Sequence, residues 1–137
     1  MAIVAYLTHP LGERDAGDGM ERGGNIANAM DWFKFLVQTT TWAIACPWFV
    51  YVAAVDDAFH RPRALRDQIE LMSRCDLVVL TGGRMSAHMR IEFGHAQRRI
   101  NGALPVIDLL PLGFLPPWDR KDEVGQDIRA LARGFGL

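Results

Sequence analysis

The stretch Asp76–Leu80, which reads DLVVL, limits what this chain can become more than any other part of it. A strand with one face in water alternates polar and apolar residues. A run without alternation belongs to a strand covered on both faces, as in a parallel sheet flanked by helices. Thr81-Gly82-Gly83 follows it as a turn. Two more runs have the same character: Ala2–Leu7, which stops at His9-Pro10-Leu11-Gly12, and Leu104–Leu109 (LPVIDL). Trp42–Cys46 reads as a further strand. Pro47 ends it, having no N–H to offer a central ladder, and Pro47–Val55 reads as a loop or the start of a helix.

The intervening segments read as helices or loops. Gly12–Gly24 holds five glycines and little apolar content, the signature of a mobile loop. Asn25 or Gly24 then caps a helix from about Ile26 to Gln38, with Ile26, Ala29, Met30, Phe33 and Val37 at helical spacing. Pro62 suits the first turn of a helix over Arg63–Arg74 that turns Leu65, Ile69 and Met72 inward. Another helix starts around Ser86 or His88 and runs to Ile100, stopped by Asn101-Gly102. A loop with Pro111, Pro116 and Pro117 precedes a last helix over Lys121–Arg133. The β-α-β-α-β-α-β-α order predicts a single α/β domain: a doubly wound, flavodoxin-like parallel sheet in three α/β/α layers with right-handed crossovers. Such sheets bind ligands outside the carboxyl ends of their strands, so His9, Gly82 and Gly83 are candidate substrate contacts.

Composition narrows the partners. The 137 residues carry 15 basic and 16 acidic side chains, which argues against a nucleic-acid polymer, whose binding needs a concentrated basic surface. A small anionic ligand needs only a few donors. No apolar stretch is long enough for a signal segment or a membrane span. Cys46 and Cys75 have no metal-type spacing and read as buried thiols of a reducing compartment, so no membrane, metal or cofactor is expected, and the location is taken as cytoplasmic.

Chemistry concentrates in Ser86–Ala96. The block opens just past the DLVVL strand, so a helix starting there carries Glu92 within its first two turns, at the binding edge. Met89, Phe93 and Ala96 share a face, and Ile91 and Phe93 flank the glutamate. A carboxylate in that setting is partly desolvated, which raises its pKa and its nucleophilicity toward a sugar carbon. The plainer alternative is a surface glutamate paired with Arg90 or His88.

Several pieces in order resemble the nucleoside 2-deoxyribosyltransferase superfamily, which includes the 2′-deoxynucleoside 5′-monophosphate N-glycosidases. They are Tyr6-Leu7-Thr8-His9-Pro10-Leu11, Arg66-Asp67-Gln68-Ile69-Glu70, Cys75–Leu80, Ile91-Glu92-Phe93-Gly94 and Pro105-Val106-Ile107. The likeness spans most of residues 1–109. It implies that Glu92 attacks the anomeric carbon to form a glycosyl-enzyme, which then passes to water or to a second base, as in retaining glycosidases. It implies that Tyr6 orients the nucleophile, and that a second carboxyl protonates the leaving base. Asp67 is the match for that acid, one residue further from Asp76 than the likeness implies, with Glu70 as the alternative.

Ser86 corresponds to a position that holds a 5′-phosphate in the monophosphate hydrolases, although serine is also a common N-cap. Arg22, with the backbone at Gly23, is a second candidate for phosphate contact. Trp32, Trp42, Trp48 and Phe49 either stack a base or fill the core. The chain departs from the superfamily it resembles at His88 and Arg90, where small glycines are usual, and at His9, where a small residue is common. His88 would narrow the site or add positive charge for an anion. The reading that competes with an enzyme is a catalytically inactive nucleotide-binding or interaction domain on the same fold. A flavin-binding protein is disfavoured, because Gly12–Gly24 lacks a compact Ser/Thr-Gly phosphate loop. The resemblance also implies a homodimer or larger assembly, with Trp42–Tyr51 and the proline-rich tail as plausible contact surfaces.

Overall fold

A computed structural model describes residues 2–11, 22–54, 60–98 and 102–137. The strands are β1 (Val4–Thr8), β2 (Ala43–Ala45), β3 (Leu77–Leu80) and β4 (Val106–Asp108), joined in one sheet of order β2-β1-β3-β4. Every pair is parallel. The helices are α1 (Arg22–Thr39), α2 (Trp48–Ala54), α3 (Arg61–Ser73), α4 (Ala87–Gln97) and α5 (Lys121–Gly134). The fold is therefore the expected single-domain, three-layer, flavodoxin-like α/β arrangement.

Alternation along the strands separates two cores. Ala5 and Leu7 of β1, with Leu77, Val79 and Ile107, meet Trp32, Phe35 and Leu36 of α1 and Val124, Ile128 and Ala132 of α5. Tyr6, Val78 and Leu80 meet Met72 of α3 and Met89 and Ala96 of α4 on the opposite face. Each large apolar side chain buried this way contributes roughly 1.5–3 kcal/mol. Asp76 helps set the register, its Oδ2 accepting the Val4 N–H at 2.8 Å.

Several local expectations shift. α1 begins at Arg22, so residues 22–24 of the glycine-rich stretch are helical, while 12–21 lie outside the described residues. Its inner face is Ala29, Trp32, Phe35 and Leu36, and the expected Met30 and Val37 are exposed. The segment is apolar nearly all round, so spacing alone did not choose the side that meets the sheet. Within Pro47–Val55, Trp48–Ala54 form α2, which opens three residues after β2 ends, and Val55 lies outside the described residues. α3 starts at Arg61 with Pro62 in its first turn, and it buries Ala64, Gln68 and Met72 rather than Leu65 and Ile69. α4 ends at Gln97, with Arg98 at its C-cap; the expected stop at Asn101 lies outside the described residues. β4 is shorter than Leu104–Leu109, and two short 3-10 turns, Leu110–Leu112 and Trp118–Arg120, punctuate the proline-rich tail.

Candidate active site

Tyr6 and Thr8 stand two residues apart on β1, so both side chains leave the same face of the sheet. That face is covered by α4, and Glu92 of α4 meets both of them. The Tyr6 hydroxyl donates a short hydrogen bond to Glu92 Oε2, and Thr8 Oγ1 donates to Oε1 at 2.8 Å. The carboxylate is 1% exposed. Among the described residues its one ion-pair partner is His88, one helical turn earlier, with Nε2 at 3.7 Å from Oε1. Burial pushes the Glu92 carboxyl above the usual range; the charge of His88 and the two hydroxyl hydrogen bonds oppose that rise. Burial, and then the neighbouring Glu92, push the Tyr6 phenol well up, so Tyr6 stays an O–H donor at any ordinary pH.

Topology places this cluster at the rim where ligands bind in such sheets. β2 lies on one side of β1, whereas β3 and β4 lie on the other, so the winding reverses between β1 and β3. Thr8 pairs with Leu80 at the carboxyl ends of those strands, and Thr81 extends the join, its N–H and Oγ1 both bonding Thr8 O, at 3.0 and 2.9 Å.

The loops around that edge are locked together. Gly82 and Gly83 have φ of +97° and +81°, and a Cβ on Gly82 would lie 2.6 Å from Pro10 Cδ and 2.9 Å from the His9 ring. A Cβ on Gly83 would lie 2.9 Å from Phe114 N. Asn28 Nδ2 donates to Phe114 O at 2.6 Å and to His9 Nε2 at 2.8 Å. His9 is therefore the neutral tautomer whose Nδ1–H donates to Pro10 O, at 2.6 Å. Trp32 Nε1 donates to the same Phe114 carbonyl at 2.7 Å. The glycines and His9, expected as substrate contacts, thus tie the ends of β1, β3 and β4 to one another.

The other expected residues fall in different places. Ser86 caps α4, its Oγ accepting the Met89 N–H at 3.1 Å, and it is buried. Arg22 and Gly23 open α1, and the Arg22 side chain lies outside the described structure. Asp67 faces α2: its Oδ2 accepts from Tyr51 OH at 2.9 Å and Arg63 Nε at 3.3 Å, with Arg66 Nε 3.6 Å from Oδ1. The Tyr51 hydrogen bond, with help from those arginines, holds its carboxyl below the usual range. Glu70 pairs with Arg74 at 2.9 Å on the surface. Trp32, Trp42 and Trp48 are core residues, and Phe49 stacks on Trp48 at 4.1 Å between centroids.

Sequence reasoning missed Thr8 and Gln68. Thr8 was findable, because it lies two residues beyond Tyr6 on the same strand. Gln68 carried no such signal: it is 4% exposed on the inner face of α3, where its Oε1 bonds His88 Nε2 at 3.0 Å. The two cysteines are unbridged, and burial pushes the Cys75 thiol up to about 11. Among the described residues no group of three or more metal-type ligands forms, and no helix is long and apolar enough to cross a membrane.

Fold and site together define an α/β domain with a buried carboxylate at the switch point of a parallel sheet. The chain belongs to the family described as a domain of unknown function, DUF7768, which matches residues 5–102. That span runs from β1 past the end of α4 and holds every residue of the Glu92 cluster. No curated protein and no solved structure matches the chain.

Proposed function

We propose that this protein cleaves or transfers at the N-glycosidic bond of a nucleoside or nucleoside 5′-monophosphate, with Glu92 as the nucleophile. The observation that carries the reading is a carboxylate 1% exposed, held by two hydroxyl groups and no lysine or arginine among the described residues, at the rim where parallel sheets bind ligands. Burying a carboxylate with no lysine or arginine against it costs several kcal/mol, and an apolar side chain would serve packing better. A reaction that needs the carboxylate is a reason to keep it there at that cost.

Tyr6 and Thr8 fix the carboxylate in one orientation before substrate arrives, so attack needs no reordering of the nucleophile. A glutamate oxygen bonds the anomeric carbon as the base leaves, through an oxocarbenium-like transition state. Water or a second base then takes the sugar. The same two hydroxyls stabilise the carboxylate as it departs in that second step. A 5′-phosphate suits the positive end of α4, whose first turn carries no acidic side chain.

The test is to incubate the protein with nucleosides and their 5′-monophosphates, follow free base by chromatography, and weigh the intact protein for a glycosyl adduct. Base release and an adduct that both vanish in Glu92→Ala are expected. Undiminished turnover in Glu92→Ala would refute the nucleophile. Binding without turnover of any substrate would make the chain a nucleotide-binding domain instead. In solution the same reading expects two or more copies in assembly, and a monodisperse monomer by light scattering would remove that element.

A further inference from the structure

The reaction needs a group that delivers a proton to the departing base, and the likeness to deoxyribosyltransferases would give that task to Asp67. We propose that His88 performs it here; this rests on the reading of Glu92 as nucleophile. His88 Nε2 lies 3.7 Å from Glu92 Oε1, and the side chain is 37% exposed whereas that of Glu92 is 1% exposed. The imidazole therefore adjoins the buried nucleophile and also reaches solvent.

Gln68 defines which nitrogen does the work. Its Oε1 accepts from His88 Nε2 at 3.0 Å, so Nε2 keeps its hydrogen in the neutral ring and Nδ1 is the position that gains and loses a proton. Among the described residues Nδ1 has no hydrogen-bond partner of its own. Among the described residues the ring's polar partners are Glu92 from its own helix and the uncharged Gln68 from α3. Asp67, by contrast, is committed to Tyr51, Arg63 and Arg66 and is held ionised, which leaves it without a proton to give at neutral pH.

The step balances. As a Glu92 oxygen bonds the anomeric carbon, the C–N bond breaks with its electron pair going to the base, and His88 Nδ1–H protonates a ring nitrogen of that base. In the second half neutral Nδ1 takes a proton from water, whose oxygen bonds the anomeric carbon as the Glu92 carboxylate leaves. The imidazolium is restored, and the sum is glycoside plus water giving free sugar and free base.

The experiment compares a natural nucleotide with a 4-nitrophenyl 2-deoxyriboside, whose leaving group departs as an anion and needs no proton. His88→Gln should lower kcat on the natural substrate by about 10²–10⁴-fold and on the activated one by less than about 10-fold. Added imidazole should restore part of the loss, and the fall of kcat at high pH expected of a wild type that needs a protonated acid should be absent from the variant. Equal losses on both substrates, or no rescue and an unchanged high-pH limb, overturn the assignment to His88. A substrate ratio that shifts in Asp67→Asn rather than in His88→Gln makes Asp67 the proton carrier. Wild-type protein that cleaves neither substrate fails the parent reading itself, and that outcome is distinct from all the others.

Discussion

One strand supplies both faces of this sheet, and the two faces are built for different purposes. Ala5 and Leu7 of β1 point into an apolar core of Trp32, Phe35, Leu36, Val124 and Ile128, shared by α1 and α5. Tyr6 and Thr8 point the other way, where the helix packed against them buries Glu92 and its neighbour α3 buries Gln68. The period of a strand is what makes this possible: adjacent residues serve opposite faces, so one side can be a pure scaffold while the other carries polar groups at fixed spacing. The first face maximises stability, and the second gives some of it up to hold a carboxylate out of water.

The sharpest way to break the comparison is to change one residue on each face. Glu92→Gln should cost activity on the order of 10⁴-fold, roughly 5 kcal/mol of barrier, with no loss of folded protein. Phe35→Ala should do the reverse. Phe35 is fully buried and sits edge-on to Trp32 and Trp118, with centroids at 5.6 and 5.3 Å. Its truncation should destabilise by about 3–5 kcal/mol in urea unfolding, with unchanged turnover per folded molecule. Activity losses in Phe35→Ala beyond the unfolded fraction would mean that the scaffold face also tunes the site.

A smaller effect tests the seam where the faces meet the rim. Gly82→Ala should cost about 1–3 kcal/mol, because the residue sits at φ +97° and its Cβ would press on Pro10 and His9. Melting that is unaltered by that change would show the three rim loops to be less tightly joined than their hydrogen bonds suggest.

How much of this was legible follows the same division. The scaffold could be read from DLVVL and its companion runs, because strands buried on both faces advertise themselves by lacking polar residues. Glu92 could be read too, as a charged residue flanked by Ile91 and Phe93 on a helix leaving a strand end. The helix faces could not. α1 is apolar at Met30 and Val37 as well as at Trp32 and Phe35, so which side meets the sheet is decided by tertiary packing. α3 buries Gln68 in place of Leu65 and Ile69, and a polar residue facing inward looks like an outer one until its partner is known. The packing of the rim was illegible for a related reason. Gly82, Gly83 and His9 read as ligand contacts from position, and position did not show that they also let Pro10 and Phe114 approach, a contact between segments far apart in the chain.

The finest test weighs what the face that holds Glu92 gives up. Burial raises the Glu92 carboxyl above its unfolded value, so the folded protein holds that proton more tightly than the unfolded chain does. Below the ordinary glutamate range both states are protonated, and the stability of the folded form is complete. As pH rises from that range toward the raised folded value, the unfolded chain releases its proton first, and stability is lost until the folded carboxyl also ionises. Glutamine stays neutral throughout and suffers no such loss. Melting curves of the wild type and Glu92→Gln should therefore coincide near pH 4 and part as pH rises. At pH 7 the variant should be more stable by roughly 1–2 kcal/mol, the usual scale when a strained functional group is replaced. A wild type that is the more stable of the two at pH 7 would mean that the hydrogen bonds from Tyr6 and Thr8 outweigh desolvation. The face that holds Glu92 would then be as well built for stability as the face that holds Phe35.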